Sequence, residues 1–225
     1  MKWCLLILSF CVVSIKGNAQ ADALQEKEAG TLLQTMGKRY SSYRTIQASF
    51  TLSAAKPKAK VTDDESKLTQ VAQGSVTIMG KSFYIQLPGQ KIWCNGKTIW
   101  TLNSKSKEVQ IETFEPSSAL FNPSELFTFY TKGFMYRTRE KRKMNGQNQT
   151  IVELSPTNKQ VSYFKIELTI QDEPEPVIRE AKIFEKSGVR YGYKINTLET
   201  DVSKKESDFT FNPKSYPGYK TIDLQ

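Results

Sequence analysis

Cys94, set between Trp93 and the pair Asn95-Gly96, is the first candidate for chemistry, since a thiolate is both a nucleophile and a metal ligand. No base stands beside it, and the chain contains no histidine. Without histidine, Ser-His-Asp and Cys-His nucleophilic systems and histidine metal sites are excluded. Cys94 therefore reads as a small hydrophobe at the end of a strand. Carboxylates cluster twice, as Asp63-Asp64-Glu65 and as Asp172, Glu173 and Glu175 around Pro174 and Pro176. Two facing acids could cleave a glycosidic bond, but acids in charged or Pro-rich stretches are ordinarily solvated turn residues. No Gly-rich phosphate cradle is present. The expectation is a protein that is not an enzyme and has no cofactor and no metal.

A basic run, "YRTREKRK" at 136–143, raises a different chemistry, the recognition of anions. Read as a strand, it puts Arg137, Arg139 and Lys141 on one face. Neighbouring strands offer no matching basic stripe with stacking aromatics, so nucleic acid is not an expected partner. A solvated, lysine-rich strand edge that discourages unwanted pairing is the preferred reading.

These residues must be positioned by the rest of a 225-residue chain, long enough for one sizeable core. "MKWCLLILSFCVVSIKGNAQ" carries an early lysine, a short apolar run and small residues, which is the pattern of a secretory signal peptide over 1–19. Cleavage is expected after Ala19 or Ala21, leaving one domain over 20–225. Losing Lys2 and Lys16 lowers the formal charge from +9 to +7. Cys4 and Cys11 leave too, so Cys94 has no partner for a disulfide and packing must supply the stability. Bulky Phe10 before Cys11 argues against a lipid-anchored cysteine. The mature chain is expected to be periplasmic, soluble and not membrane-spanning.

From 21 to 43, Leu24, Ala29, Leu32, Leu33, Met36 and Tyr40 recur at helical spacing. "TIQASFTLS" then alternates as a half-buried strand. More strands follow, punctuated by Gly80-Lys81, Pro88-Gly89, Asn95-Gly96, Asn145-Gly146 and Ser187-Gly188. The rhythm breaks in "PSSALFNPSELFTFYTKGF", 116–133, where Ser117 and Ser124 are helix-capping candidates. Strands without intervening helices exclude a parallel α/β sheet. The expected architecture is mainly β (α+β): a single curved, unclosed antiparallel sheet with an N-terminal helix and short lid helices over its concave face. The aromatics of the 116–133 segment exceed what so short an element needs for docking, which suggests a greasy cavity beneath it. A transmembrane β-barrel is rejected, because "FMYRTREKRK" and "VIREAKIFEK" would put charge into lipid at up to ~2–4 kcal/mol per basic residue.

Three segments in order carry a resemblance: "IQASFTLS", "QGSVTIMGKSFYIQLPGQKIWCNGKTIWTLN" and "DFTFNPKSYPGYKTIDL". The second is similar to a strand–turn–strand with a D/N-G-K-x-[IL]-W turn, here Asn95-Gly96-Lys97-Thr98-Ile99-Trp100. The third is similar to an F-x-F-x-P…G…[IV]-D close, here Phe209, Phe211, Pro213, Gly218, Ile222 and Asp223, with one extra residue before the glycine. Together they resemble the LolA family, periplasmic carriers of outer-membrane lipoproteins, over essentially the whole mature chain. The resemblance implies a half-barrel whose apolar concave face, closed by helices, holds acyl chains. It implies acylated lipoproteins as cargo, an inner-membrane lipoprotein-releasing ABC transporter as donor, an outer-membrane acceptor and a monomeric carrier. Phe50, Phe83, Ile85 and Trp100 from the sheet, with Leu126, Phe127 and Phe129 from the lid, are the expected lining. The chain departs from the family where an arginine followed by Pro-Asn is tied to release; Met79-Gly80-Lys81 stand there. The alternative is the same fold used as a protein-binding envelope sensor without lipid cargo.

Overall fold

Gly-containing turns fold the chain into hairpins where the sequence places them. At Asn145-Gly146 both residues adopt left-handed backbone, φ 51° and 79°, the pair a two-residue hairpin of this twist requires. At Asn95-Gly96 the Asn95 side-chain oxygen instead accepts the amides of Lys97 and Thr98, at 3.0 and 2.9 Å, and holds the turn from within.

The computed structural model describes residues 17–55, 68–114, 127 and 133–225. It opens with helix α1 (Gly17–Ser42), longer at its start than the 21–43 the apolar spacing predicts. Then come β1 (Ile46–Ala55), β2 (Thr69–Met79), β3 (Ser82–Leu87), β4 (Gln90–Cys94), β5 (Thr98–Asn103) and β6 (Glu108–Thr113). β7 (Phe134–Met144), β8 (Gln147–Pro156), β9 (Tyr163–Gln171), β10 (Val177–Glu185), β11 (Arg190–Thr200) and β12 (Lys220–Asp223) follow. The Asp63-Asp64-Glu65 group and the expected lid helices of 116–133, apart from Phe127, lie outside the described residues.

The strands form a single 12-stranded sheet in the order β12-β6-β5-β4-β3-β2-β1-β11-β10-β9-β8-β7. It is unclosed and strongly curved, and antiparallel except where β12 joins β6 in parallel. β1 is the seam. On one side runs the β2–β6 meander, on the other the β11–β7 meander, so the two halves meet through β1·β2 and β1·β11. β6 lies next to one edge of the sheet and β7 forms the other.

Core residues populate one face: Ile46, Ala48 and Phe50 of β1, Val76 of β2, and Phe83 and Ile85 of β3. Val152 and Leu154 of β8, Ile166, Leu168 and Ile170 of β9, and Ile178, Ala181 and Ile183 of β10 continue it. α1 lies on this face. Its Ala29, Leu33, Met36 and Tyr40 recur every three or four residues and are all buried. Glycine matters at position 30: a Cβ there would stand 3.0 Å from the Tyr136 ring, so the small residue lets the helix ride close to β7.

The opposite face carries a second, smaller cluster: Trp93, Leu102 and Val109, with Phe211 from the C-terminal segment. After β11 the chain crosses the back of β3–β6 through short 3₁₀ turns at Glu206–Phe209 and Pro213–Ser215, then pairs β12 with β6. Phe209, 1% exposed, and Phe211 anchor that crossing.

The basic strand departs from simple alternation. The β7–β8 register shifts between Thr138 and Glu140. Arg137 and Arg139 reach the outer-face acids Glu153 and Glu167, whereas Lys141 turns to Glu28 on the helix side. The three do not share a face; a β-bulge reverses the parity. β7 is nevertheless an edge strand, as its composition suggests.

Candidate functional site: the covered apolar face

On the inner side of β1–β4 the facing pairs are Ile46–Ile78, Ala48–Val76, Phe50–Gly74, Ile78–Phe83, Val76–Ile85 and Phe83–Cys94. Every member is apolar or glycine, so this surface makes no hydrogen-bonding demand on whatever covers it. The Phe50 ring lies over Gly74, where a Cβ would stand 2.8 Å from its Cζ. Phe50 also meets Tyr193 of β11 at 5.9 Å between centroids. Phe83 meets Phe114 edge-on at 5.9 Å, just beyond the end of β6.

The cover has two parts. α1 starts over β7 and finishes over β10, where the Ile178 amide donates to the Tyr40 hydroxyl at 3.2 Å. The Arg39 guanidinium fastens that end: it donates to the Tyr43 hydroxyl and the Pro176 carbonyl and pairs with Glu175. The second part is Phe127, fully buried and edge-on to Tyr40 at 5.1 Å. It belongs to the stretch of chain between Phe114, after β6, and Gly133, before β7.

The structure brings together four of the residues named from the sequence. Phe50, Phe83, Ile85 and Phe127 belong to one core cluster and are 0–3% exposed. Trp100 does not join them. It faces Trp93 across β4–β5 and packs in the outer cluster under the C-terminal segment. Leu126 and Phe129 lie outside the described residues. Sequence reasoning passed over Tyr40, Phe114 and Tyr193; the helical spacing that buried Tyr40 was the available signal for the first.

Electrostatics agree with an oily, unreactive surface. Burial pushes the Tyr193 hydroxyl up to about 12. Burial likewise raises Tyr40, against the opposing hydrogen bond from Ile178. Burial raises the Cys94 thiol, and the Gly96 amide at 3.3 Å from its Sγ only partly opposes this, so Cys94 stays a protonated hydrophobe. Among the described residues no group of His, Cys, Asp and Glu could hold a metal. Asp172 and Glu175 are structural: Asp172 accepts from Thr150, and Glu175 holds Arg39. Clefts open among the described residues. One of about 440 Å³ is lined by residues such as Gln73, Gln86 and Lys91; another, of about 320 Å³, lies between the start of α1 and β7–β8.

A strongly curved, unclosed sheet whose apolar inner face is covered by α1 and Phe127 is a class of fold suited to holding apolar groups. Within that class, residues 40–178 match the family model described as outer membrane lipoprotein carrier protein LolA, and the chain belongs to that family. No curated protein matches significantly. Among solved structures, an uncharacterized conserved protein from Thermus thermophilus superposes at TM-score 0.56 with 10% identity, over 87% of this chain and 99% of that one. A DUF1329 family protein from Desulfovibrio piger reaches TM-score 0.47 at 14% identity, over 83% and 97% of the two chains. A LolA superfamily protein from Nitrosomonas europaea reaches 0.43 at 13% identity, over 81% and 97%. No helix among the described residues is long and apolar enough to cross a membrane.

Proposed function

We propose that the protein carries the acyl chains of lipoproteins on the inner face of β1–β4, taking cargo from an inner-membrane ABC transporter and delivering it to the outer membrane. The observation that carries the reading is the composition of that face: Phe50, Val76, Phe83 and Ile85 present carbon to carbon, beneath a cover the chain itself provides. Each methylene moved from water to such a surface is worth roughly 0.8 kcal/mol, so acyl chains need area and little polar chemistry. Cargo displaces the Phe127 ring from the face, and the ring returns when cargo leaves. Because the empty face is satisfied by its own side chains, binding is moderated by the cost of displacing them, which suits a carrier that must also release.

The reading includes removal of 1–19 and work in the periplasm as a monomer. Cleavage after Ala19 or Ala21 falls within the first turns of α1 and leaves its packed stripe from Ala29 onward intact.

Purifying the protein from envelope extract and identifying bound lipid by mass spectrometry tests it, alongside lipoprotein distribution after depletion. Acylated cargo, and lipoproteins retained at the inner membrane on depletion, are expected. A lipid-free protein whose depletion leaves the distribution unchanged would sink the carrier reading and favour the sensor. Phe127→Glu should abolish cargo binding.

A further inference from the structure

The outer face of β9–β11 carries a feature that neither the core nor the cargo reading uses. Lys165, Phe184 and Arg190 are direct cross-strand neighbours in one row. The Phe184 ring is flanked by two cations, the Lys165 ammonium at 4.0 Å and the Arg190 guanidinium at 5.3 Å from its centroid. Beside it Phe164 stands 52% exposed, its ring 6.3 Å from that of Phe184. The β9–β10 register shifts between Phe184 and Glu185, and this irregularity sends Phe164 outward while Tyr163 stays with the inner core.

The adjoining rim is basic as well. Lys186, in the β10–β11 turn, is tied by its backbone amide to Ser162 and by its ammonium to the Lys159 carbonyl. Glu167, in the adjacent row, is engaged by Arg139 and Lys165. Glu185 accepts from Ser187. An exposed phenylalanine amid lysines and arginine is the composition of a surface that meets a charged bilayer: rings enter the headgroup boundary while cations hold the phosphates. Phe164, half in water beside these cations, gives a partner a projecting apolar tip.

We propose that the outer face around Phe164, Phe184, Lys165 and Arg190 docks the protein on the surface of an anionic phospholipid bilayer. The proposal stands apart from the cargo reading, since docking involves the outer face and acyl binding the inner one.

Flotation of the purified chain with phosphatidylcholine vesicles, with and without phosphatidylglycerol, tests it. The wild-type protein should float with the anionic vesicles alone, less as salt rises. Phe164→Glu and Arg190→Glu should each weaken binding by about tenfold. Lys143→Glu, an equal charge change on the distant edge strand β7, should leave it unchanged. Phe164→Ser, at a position already half in water, should also weaken binding and covers the case of a misfolded Glu variant; thermal melts confirm folding. No vesicle binding by wild type overturns the proposal, as does equal binding to neutral vesicles or an equal loss in Lys143→Glu. Retention on immobilised polyaspartate that is lost in Arg190→Glu, without vesicle binding, would assign the patch to an acidic protein instead.

Discussion

Phe127 meets Tyr40 edge-on, their centroids 5.1 Å apart, and so packs against helix α1 over the inner face of the sheet. Tyr40 is itself tied to β10 through the Ile178 amide. Helix, lid residue and sheet therefore share one contact point, and removing the Phe127 ring should loosen the cover first. Phe127→Ala is expected to cost about 3 kcal/mol, the low end for a buried Phe→Ala change. Urea denaturation measures the loss. Binding of a hydrophobic dye to the native state should rise, and an unchanged dye signal would mean that the ring does not cover the face.

Gly74 faces Phe50, and a Cβ on it would meet Leu87 Cδ2 at 2.7 Å and the Gln86 carbonyl oxygen at 2.8 Å as well as the ring. Backbone cannot yield as a side chain tip can. Gly74→Ala should therefore destabilise by about 1–3 kcal/mol despite alanine's lower entropy cost. Adding Phe50→Leu should recover part of that loss, since it removes Cζ but not the Gln86 carbonyl. Calorimetric melting of the single and double variants checks both statements.

Tyr193 makes stability depend on alkaline pH. Its folded value of about 12 lies above the ordinary 10, so between these the unfolded chain has released a proton that the folded one keeps. Its contribution is fully present below pH 10 and is lost as pH rises toward 12, by roughly 2–3 kcal/mol in all. Tyr193→Phe should flatten that part of the stability profile. Tyrosinate absorbance should show a late-ionising fraction, to which Tyr40 also contributes, that shrinks by one residue in the variant.

Glu167 is a buried acid on the outer face, with Arg139 and Lys165 both on its Oε1. Glu167→Gln keeps the shape and removes the charge. Both cations are partly exposed and can turn to water, so the expected cost is modest, about 1–2 kcal/mol. Denaturant midpoints should fall, and less so in high salt. A larger, salt-independent loss would show that shape rather than charge is what the site needs.

The local elements were legible in the chain because their signals are local. The stripe at Ala29, Leu33, Met36 and Tyr40 specifies a helix, the pairs at Asn95-Gly96 and Asn145-Gly146 specify hairpins, and the lack of strand–helix alternation specifies an antiparallel sheet. Phe50, Phe83 and Ile85 could be nominated together because their strands keep strict two-residue alternation from one turn to the next. The same residues could not reveal which side of the sheet is the hollow one. Trp93 and Trp100 look as fit for a lipid face as Phe83, yet they face outward, where the return of Phe211 and Tyr216 across the back of the sheet helps to cover their cluster. Bulges decided the rest: one residue inserted near Arg139 sends Lys141 to the helix, and another beside Phe164 turns it to solvent. Alternation is a property of neighbouring residues and can be read in a line of letters. Facing depends on long-range pairing and on where a strand gains an extra residue, and those are settled only when distant strands meet.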